Sequence, residues 1–183
     1  MSSIHPASAQ RPDRRRFIAQ LLTPWLGLPA SRAWANLELT QRSWPTRQPT
    51  PALTLDRWEA APWILAAEAG KPVLLNFWAS WCEPCRSEMP SLELLATRHE
   101  PQGLQVMAVN YRETDAAVRR FIEATSLSLP VLRDRDGGAA KAFGIRTFPS
   151  TVAINRRGRV LSIAVGECDW ASPAARQWVS TVL

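Results

Sequence analysis

Residues 72–85 read Pro72-Val73-Leu74-Leu75-Asn76-Phe77-Trp78-Ala79-Ser80-Trp81-Cys82-Glu83-Pro84-Cys85, and this stretch decides the fold. Pro72–Trp78 is a near-continuous apolar run of strand length, as expected where both faces of a sheet are covered. Behind it a Cys-x-x-Cys opens a helix expected from Glu83 to about Arg98. Met89, Leu92 and Leu95 repeat there at helical spacing, with Pro90 as a kink. Cysteines in the first turn of a helix sit where unpaired backbone N–H groups and the helix dipole gather, and these stabilise a thiolate at Cys82. Cys85 lies one turn deeper, within reach of a short disulfide. Pro84 stiffens that turn without removing a needed hydrogen bond.

Downstream, Leu104–Tyr111 reads as a second buried strand and Asp115–Thr125 as a helix. Ala139–Phe143 is a short helical turn ending at Gly144. Thr151–Asn155 and Val160–Val165 alternate around Arg156-Arg157-Gly158-Arg159 as a hairpin with a solvated tip. Ser172 caps a last helix, Pro173–Val182. Asp134-Arg135-Asp136-Gly137-Gly138 lacks the later glutamate of a calcium loop and reads as a turn. Upstream, Arg57–Ala69 is expected to be a helix limited by Pro62. Residues 36–56, with Pro45, Pro49 and Pro51, form an extended approach segment with one short strand at Ala52–Leu55. Early strand–helix alternation followed by a hairpin implies a three-layer α/β sandwich with a mixed parallel and antiparallel central sheet.

The chain has 183 residues, 46% hydrophobic and 21% charged, which suits one domain plus a processed leader. Disorder, a disulfide-dense mini-protein and a polytopic membrane protein are excluded. The net charge of +6 does not mark a nucleic-acid binder. In residues 1–35, Arg11, Arg14, Arg15, Arg16 and Arg32 stand against Asp13 alone, leaving an excess of only two on the rest. The same segment runs from Arg14-Arg15-Arg16 through an apolar stretch, Phe17 to about Ala30, to Ala33-Trp34-Ala35. That order is a bacterial export signal of the twin-arginine type. Pro24 and Pro29 and its shortness argue against a lasting anchor. The domains are therefore residues 1–35 as export signal, 36–56 as approach segment and 57–183 as the folded domain, expected in the periplasm, where a disulfide persists.

Cys82 and Cys85 are expected to exchange disulfides: Cys82 attacks a substrate disulfide and Cys85 resolves the mixed disulfide. A zinc site would need two further ligands, and beyond the leader only His99 and Cys168 remain, neither at a paired spacing. Neither a metal nor another cofactor is called for. A purely structural disulfide is disfavoured because so short a ring constrains the unfolded chain little. Glu88, three residues past Cys85 on the same side of the helix, is placed to take the proton of Cys85 if burial raises its pKa. Trp81 borders the exposed cysteine and is expected to touch partners. Glu83 opposes the helix terminus in tuning Cys82. Cys168 reads as an inert thiol, with a resolving or regulatory role as the alternative.

The run Asn76–Pro90 resembles the core signature of the thioredoxin superfamily, and more narrowly the exported TlpA/ResA-like reductases, over roughly Leu53 to Leu183. The resemblance implies a thioredoxin fold carrying a strand–helix insertion between Cys85 and Pro149. It also implies a cis-proline loop at Phe148-Pro149 that binds substrate, an active-site glutamate at Glu88 and a second acidic residue at Glu113. The expected activity is that of a thiol–disulfide oxidoreductase, a reductase of cysteine-containing proteins, with apocytochrome c among the candidates. A membrane thiol donor would supply its electrons, and a monomer is expected. The alternatives are a disulfide oxidase or isomerase, a thiol peroxidase (which would want threonine where Ala79 stands) and a copper-site assembly factor using the two cysteines as soft ligands.

Overall fold

The structure of the protein, a computed structural model, describes residues 39–183. The export signal read over residues 1–35, and residues 36–38 of the approach segment, lie outside the described residues. Eight strands and four α-helices follow in the order β1 (Gln41–Ser43), β2 (Thr54–Arg57), β3 (Ala60–Ile64), β4 (Val73–Trp78), α1 (Glu83–His99), β5 (Gln105–Tyr111), α2 (Asp115–Thr125), β6 (Val131–Asp134), α3 (Gly138–Ala142), β7 (Ser150–Ile154), β8 (Val160–Val165) and α4 (Pro173–Ser180). All strands join one sheet in the order β1-β8-β7-β4-β5-β6-β2-β3. β4, β5 and β6 run parallel, and every other pairing is antiparallel. This is the mixed sheet of a thioredoxin fold, with α2 and β6 coming between α1 and the β7–β8 hairpin in chain order while β6 lies on the opposite side of β4 from that hairpin.

β4 is central, and all six of its residues are buried. Alternation sends Leu74 and Trp78 to one face and Leu75 and Phe77 to the other. The first face packs against Cys85, Met89, Leu92 and Leu95 of α1, Val118 and Phe121 of α2, and Ala175, Trp178 and Val179 of α4. The second packs against Ala139 and Ala140 of α3 and Phe143, and against Trp44, Leu53, Trp63 and Leu65 from the chain before β4. Each fully buried Leu or Phe contributes about 1.5–3 kcal/mol, so the strand under the Cys-x-x-Cys is among the most firmly seated parts of the fold. Among the described residues no helix is long and apolar enough to cross a membrane.

The expected helix over Arg57–Ala69 is corrected by the structure. Its place is taken by the end of β2, a tight turn with Glu59 in the left-handed region (φ 52°), β3 and a 3-10 turn at Leu65–Glu68. Ala-rich helix propensity loses here to pairing: β2 docks on the edge of β6, and β3 closes the sheet as an edge strand. An edge tolerates Pro62, whose missing N–H would have broken a helix interior. β1 lies within residues 36–56 and β2 starts there at Thr54, so the sheet begins inside the stretch read as an approach segment. α1 runs from Glu83 to His99 with Pro90 inside it, as one helix of the expected extent. The hairpin tip is not simply solvated either. Arg156 donates to the carbonyls of Leu183 (2.7 Å), Gln102 (2.7 Å) and Gly70 (3.2 Å).

Candidate active site

Cys82 and Cys85 are joined in a disulfide, S–S 2.05 Å, where β4 hands over to α1. Cys82 is the N-cap of α1, with Pro84 in the first turn. Its Sγ accepts the backbone N–H of Cys85 at 3.3 Å, so an otherwise orphaned first-turn donor points at sulfur. Cys82 keeps 5% exposure and Cys85 none. The two sulfurs thus differ in access along one line from surface to core.

Trp81 is 67% exposed beside them. Its ring meets Phe148 edge-on at 5.8 Å, and Phe148 in turn lies 4.9 Å from Tyr111. The Phe148–Pro149 peptide bond is cis. Three aromatic rings therefore form a ladder beside the cysteine loop, one from that loop, one from the segment before β7 and one from the end of β5. Tyr111 was not singled out in the sequence.

Glu88 is buried on the sheet side of α1. Its Oε1 accepts from Asn76 Nδ2 at 2.6 Å and its Oε2 from the backbone N–H of Cys168 at 3.0 Å. Burial pushes its pKa up from 4.5 to about 7, partly offset by these two donors and by the Trp170 indole. Asn76 Nδ2 also donates to Thr151 Oγ1 at 3.0 Å, directly across the β4–β7 ladder. Cys168 is buried and unpaired. Its thiol is pushed up to about 12, chiefly by burial and then by the charges of Glu88 and Asp169. Such a thiol stays protonated at neutral pH and is a poor nucleophile.

Glu113 sits just past β5 and is half-buried. It accepts from the backbone N–H of Ser80 (2.7 Å), Ser80 Oγ (2.5 Å) and Asn110 Nδ2 (2.7 Å). That carboxylate ties the end of β5 to the loop two residues ahead of Cys82. Ser80, Asn110, Asn76 and Thr151 were missed from the sequence. The signal was present for the two asparagines: each interrupts an apolar strand, and a buried amide needs partners. Among the described residues no group of three or more His, Cys, Asp or Glu side chains could hold a metal ion.

The arrangement can pass two electrons between a dithiol and a disulfide at Cys82, the less deeply buried of the pair, with a carboxyl of near-neutral pKa on the same helix. Comparison with known proteins agrees with that chemistry. The model of the AhpC/TSA family matches residues 46–163. The thiol-disulfide oxidoreductase ResA of Halalkalibacterium halodurans is 39% identical over 97 residues, 53% of this chain and 55% of the relative. The match thus spans about half the length of that relative. The ResA of Geobacillus thermodenitrificans is 32% identical over 157 residues, 86% of this chain and 88% of the relative. A solved structure described as a thiol:disulfide interchange protein DsbE, from Chlorobium tepidum, superposes with a TM-score of 0.68 at 27% identity. It covers 74% of this chain and 95% of its own.

Proposed function

We propose, from the premise that this chain belongs to the AhpC/TSA family, that it is a thiol–disulfide oxidoreductase working as an exported protein-disulfide reductase. One observation carries the reading: a disulfide at the mouth of α1, with a first-turn N–H aimed at the more accessible sulfur. In the reduced protein Cys82 is the nucleophile. Its thiolate attacks a substrate disulfide, a Cys82–substrate bond forms, and one substrate thiolate leaves. Cys85 then gives its proton to Glu88 and attacks Cys82 Sγ. The Cys82–Cys85 bond forms, the second substrate thiolate leaves, and two electrons have passed to the substrate. Glu88 suits this step because a base with a pKa of about 7 is ionised in part at neutral pH yet holds a proton well.

Trp81, Phe148 and Pro149 would contact the substrate segment, with Pro84 holding the first turn and Glu113 holding the loop. The substrates are cysteine-containing proteins, apocytochrome c among them, in the periplasm after twin-arginine export. A membrane thiol donor would return the disulfide to the dithiol, since that compartment keeps no large reduced pool. Ala79, fully buried three residues before Cys82, supplies no hydroxyl for peroxide chemistry.

The test is insulin-disulfide reduction by the protein with Cys82→Ser, expected to fall to background. Cys85→Ser should instead accumulate a mixed disulfide that reducing agent releases. Undiminished turnover with Cys82→Ser would remove the assignment.

A further inference from the structure

We propose that Asn76 is a positioning residue of this site: its amide fixes the Glu88 carboxylate beneath α1 and sets the pH at which that carboxylate takes up the proton of Cys85. The inference deepens the reading under Proposed function and rests on it. Asn76 is the only polar residue of β4, and it is fully buried. Both hydrogens of its amide are committed, one to Glu88 Oε1 at 2.6 Å and one to Thr151 Oγ1 at 3.0 Å. Its Oδ1, by contrast, is buried with no hydrogen-bond partner. A residue kept for packing alone would be apolar like its neighbours, because an orphaned buried acceptor carries a desolvation cost. The amide is turned so that its donors serve the carboxylate while its acceptor goes without. That orientation favours the ionised form of Glu88, since an N–H donor strengthens its bond as the acceptor gains charge.

Thr151 is what locks the orientation. It pairs with Asn76 across the β4–β7 ladder and shares its face of the sheet. Three elements therefore meet on one carboxylate: β4 and β7 through the amide, and the loop after β8 through the N–H of Cys168. Asn76 supplies the short side-chain bond to Glu88 and Cys168 a backbone N–H. The other groups that bear on this carboxylate are the Trp170 indole, which lowers its pKa to a lesser degree, and Glu167, which raises it. The pKa of the neighbouring Cys168 thiol is itself raised, first by burial and then by Glu88 and Asp169.

The experiment is single turnover of the reduced full chain with dithiobis(nitrobenzoate). Attack by Cys82 releases one nitrothiobenzoate, and resolution by Cys85 releases the second. The rate of the second release is followed from about pH 5 to pH 9. Asn76→Ala should move its midpoint up by about one pH unit, as expected for loss of a bond to a charged acceptor. Asn76→Asp, nearly isosteric, should split the profile into two apparent midpoints, because two carboxyls in contact titrate as a pair. Should Asn76→Ala fail to fold, Thr151→Val removes only the anchor of the amide and should move the midpoint upward by a smaller amount. Midpoints unchanged in all the variants that fold would overturn the proposal while leaving Glu88 in its role. A wild-type profile in Glu88→Gln would overturn the role of Glu88 itself, and this inference with it.

Discussion

Glu88, in the helix that carries the disulfide, and Glu113, bonded to the loop ahead of it, are built alike. Each accepts from an asparagine of a central strand, Asn76 of β4 or Asn110 of β5, and each asparagine leaves its own Oδ1 without a partner. Yet the two carboxylates are placed for different work. Glu88 lies under α1 with two donors and strong desolvation, so its proton affinity is high. Glu113 is half-buried with three donors, two of them on Ser80, so its bonds go into holding the loop ahead of Cys82. On the proposed reading, the same residue pair is suited to proton transfer or to loop geometry according to how much water it keeps and what its remaining oxygens bind.

Kinetics give the widest separation. Glu88→Gln should slow the second release of the nitrothiobenzoate assay by about 100-fold at neutral pH, the lower end of general-base contributions, and flatten its pH profile. Glu113→Gln should leave the midpoint of that profile where it is. A midpoint that followed Glu113 instead would reverse the assignment of the two acids.

Stability offers the next test. The pKa of Glu88 rises from an ordinary 4.5 to about 7 on folding. Below about pH 4.5 the group is protonated in both states and costs nothing. Between there and about pH 7 the folded form binds the extra proton, so stability falls as pH rises, by about 3 kcal/mol in all. Glu88→Gln should therefore gain stability relative to wild type as denaturant melts are moved from pH 4.5 to pH 8. A constant difference across that range would mean that Glu88 is not desolvated in solution. Glu113→Ala should behave otherwise. Removing an acceptor shared by three donors costs about 2 kcal/mol, and the loss appears as a lower midpoint in the same melts, together with altered fluorescence of Trp81, one residue from Ser80.

How much of this was legible follows from distance along the chain. β4, α1, β5 and α2 were readable within a residue or two, because hydrophobic period, caps and the cysteine motif are local signals. β6 went unread: Val131-Leu132-Arg133-Asp134 carries two charges in four buried positions. Those charges are matched by groups the local sequence does not reveal. Arg133 bonds Asp115 (2.6 Å) and the carbonyl of Glu113 (2.6 Å), and Asp134 accepts from Ala139 (3.0 Å) and Ala140 (2.8 Å) at the start of α3. β3 was misread for the same reason, since its partner strand, and not its composition, decides its state. At the site, helical spacing put Glu88 on the same side of the helix as Cys85, and both are buried, but nothing local could name its partners. Asn76 is 12 residues away and Cys168 is 80.

The smallest effect belongs to a third acid, and it sharpens the contrast between the first two. Glu83 is the first residue of α1, with its side chain 82% exposed and Arg86 near it at 3.9 Å. Its charge lies next to Cys82 in sequence and opposes the thiolate, but water screens it, whereas Glu88 acts in a nearly dry setting. Glu83→Gln should remove a charge that opposes the Cys82 thiolate and so slightly stabilise the reduced protein. The reduction potential would rise by less than about 30 mV, the equivalent of one tenfold step for a two-electron couple. Equilibration of the protein against glutathione measures this directly. A shift well beyond that bound would mean that the carboxylate of Glu83 couples to the sulfur as strongly as a buried one, and the division between screened and desolvated acids around this disulfide would fail.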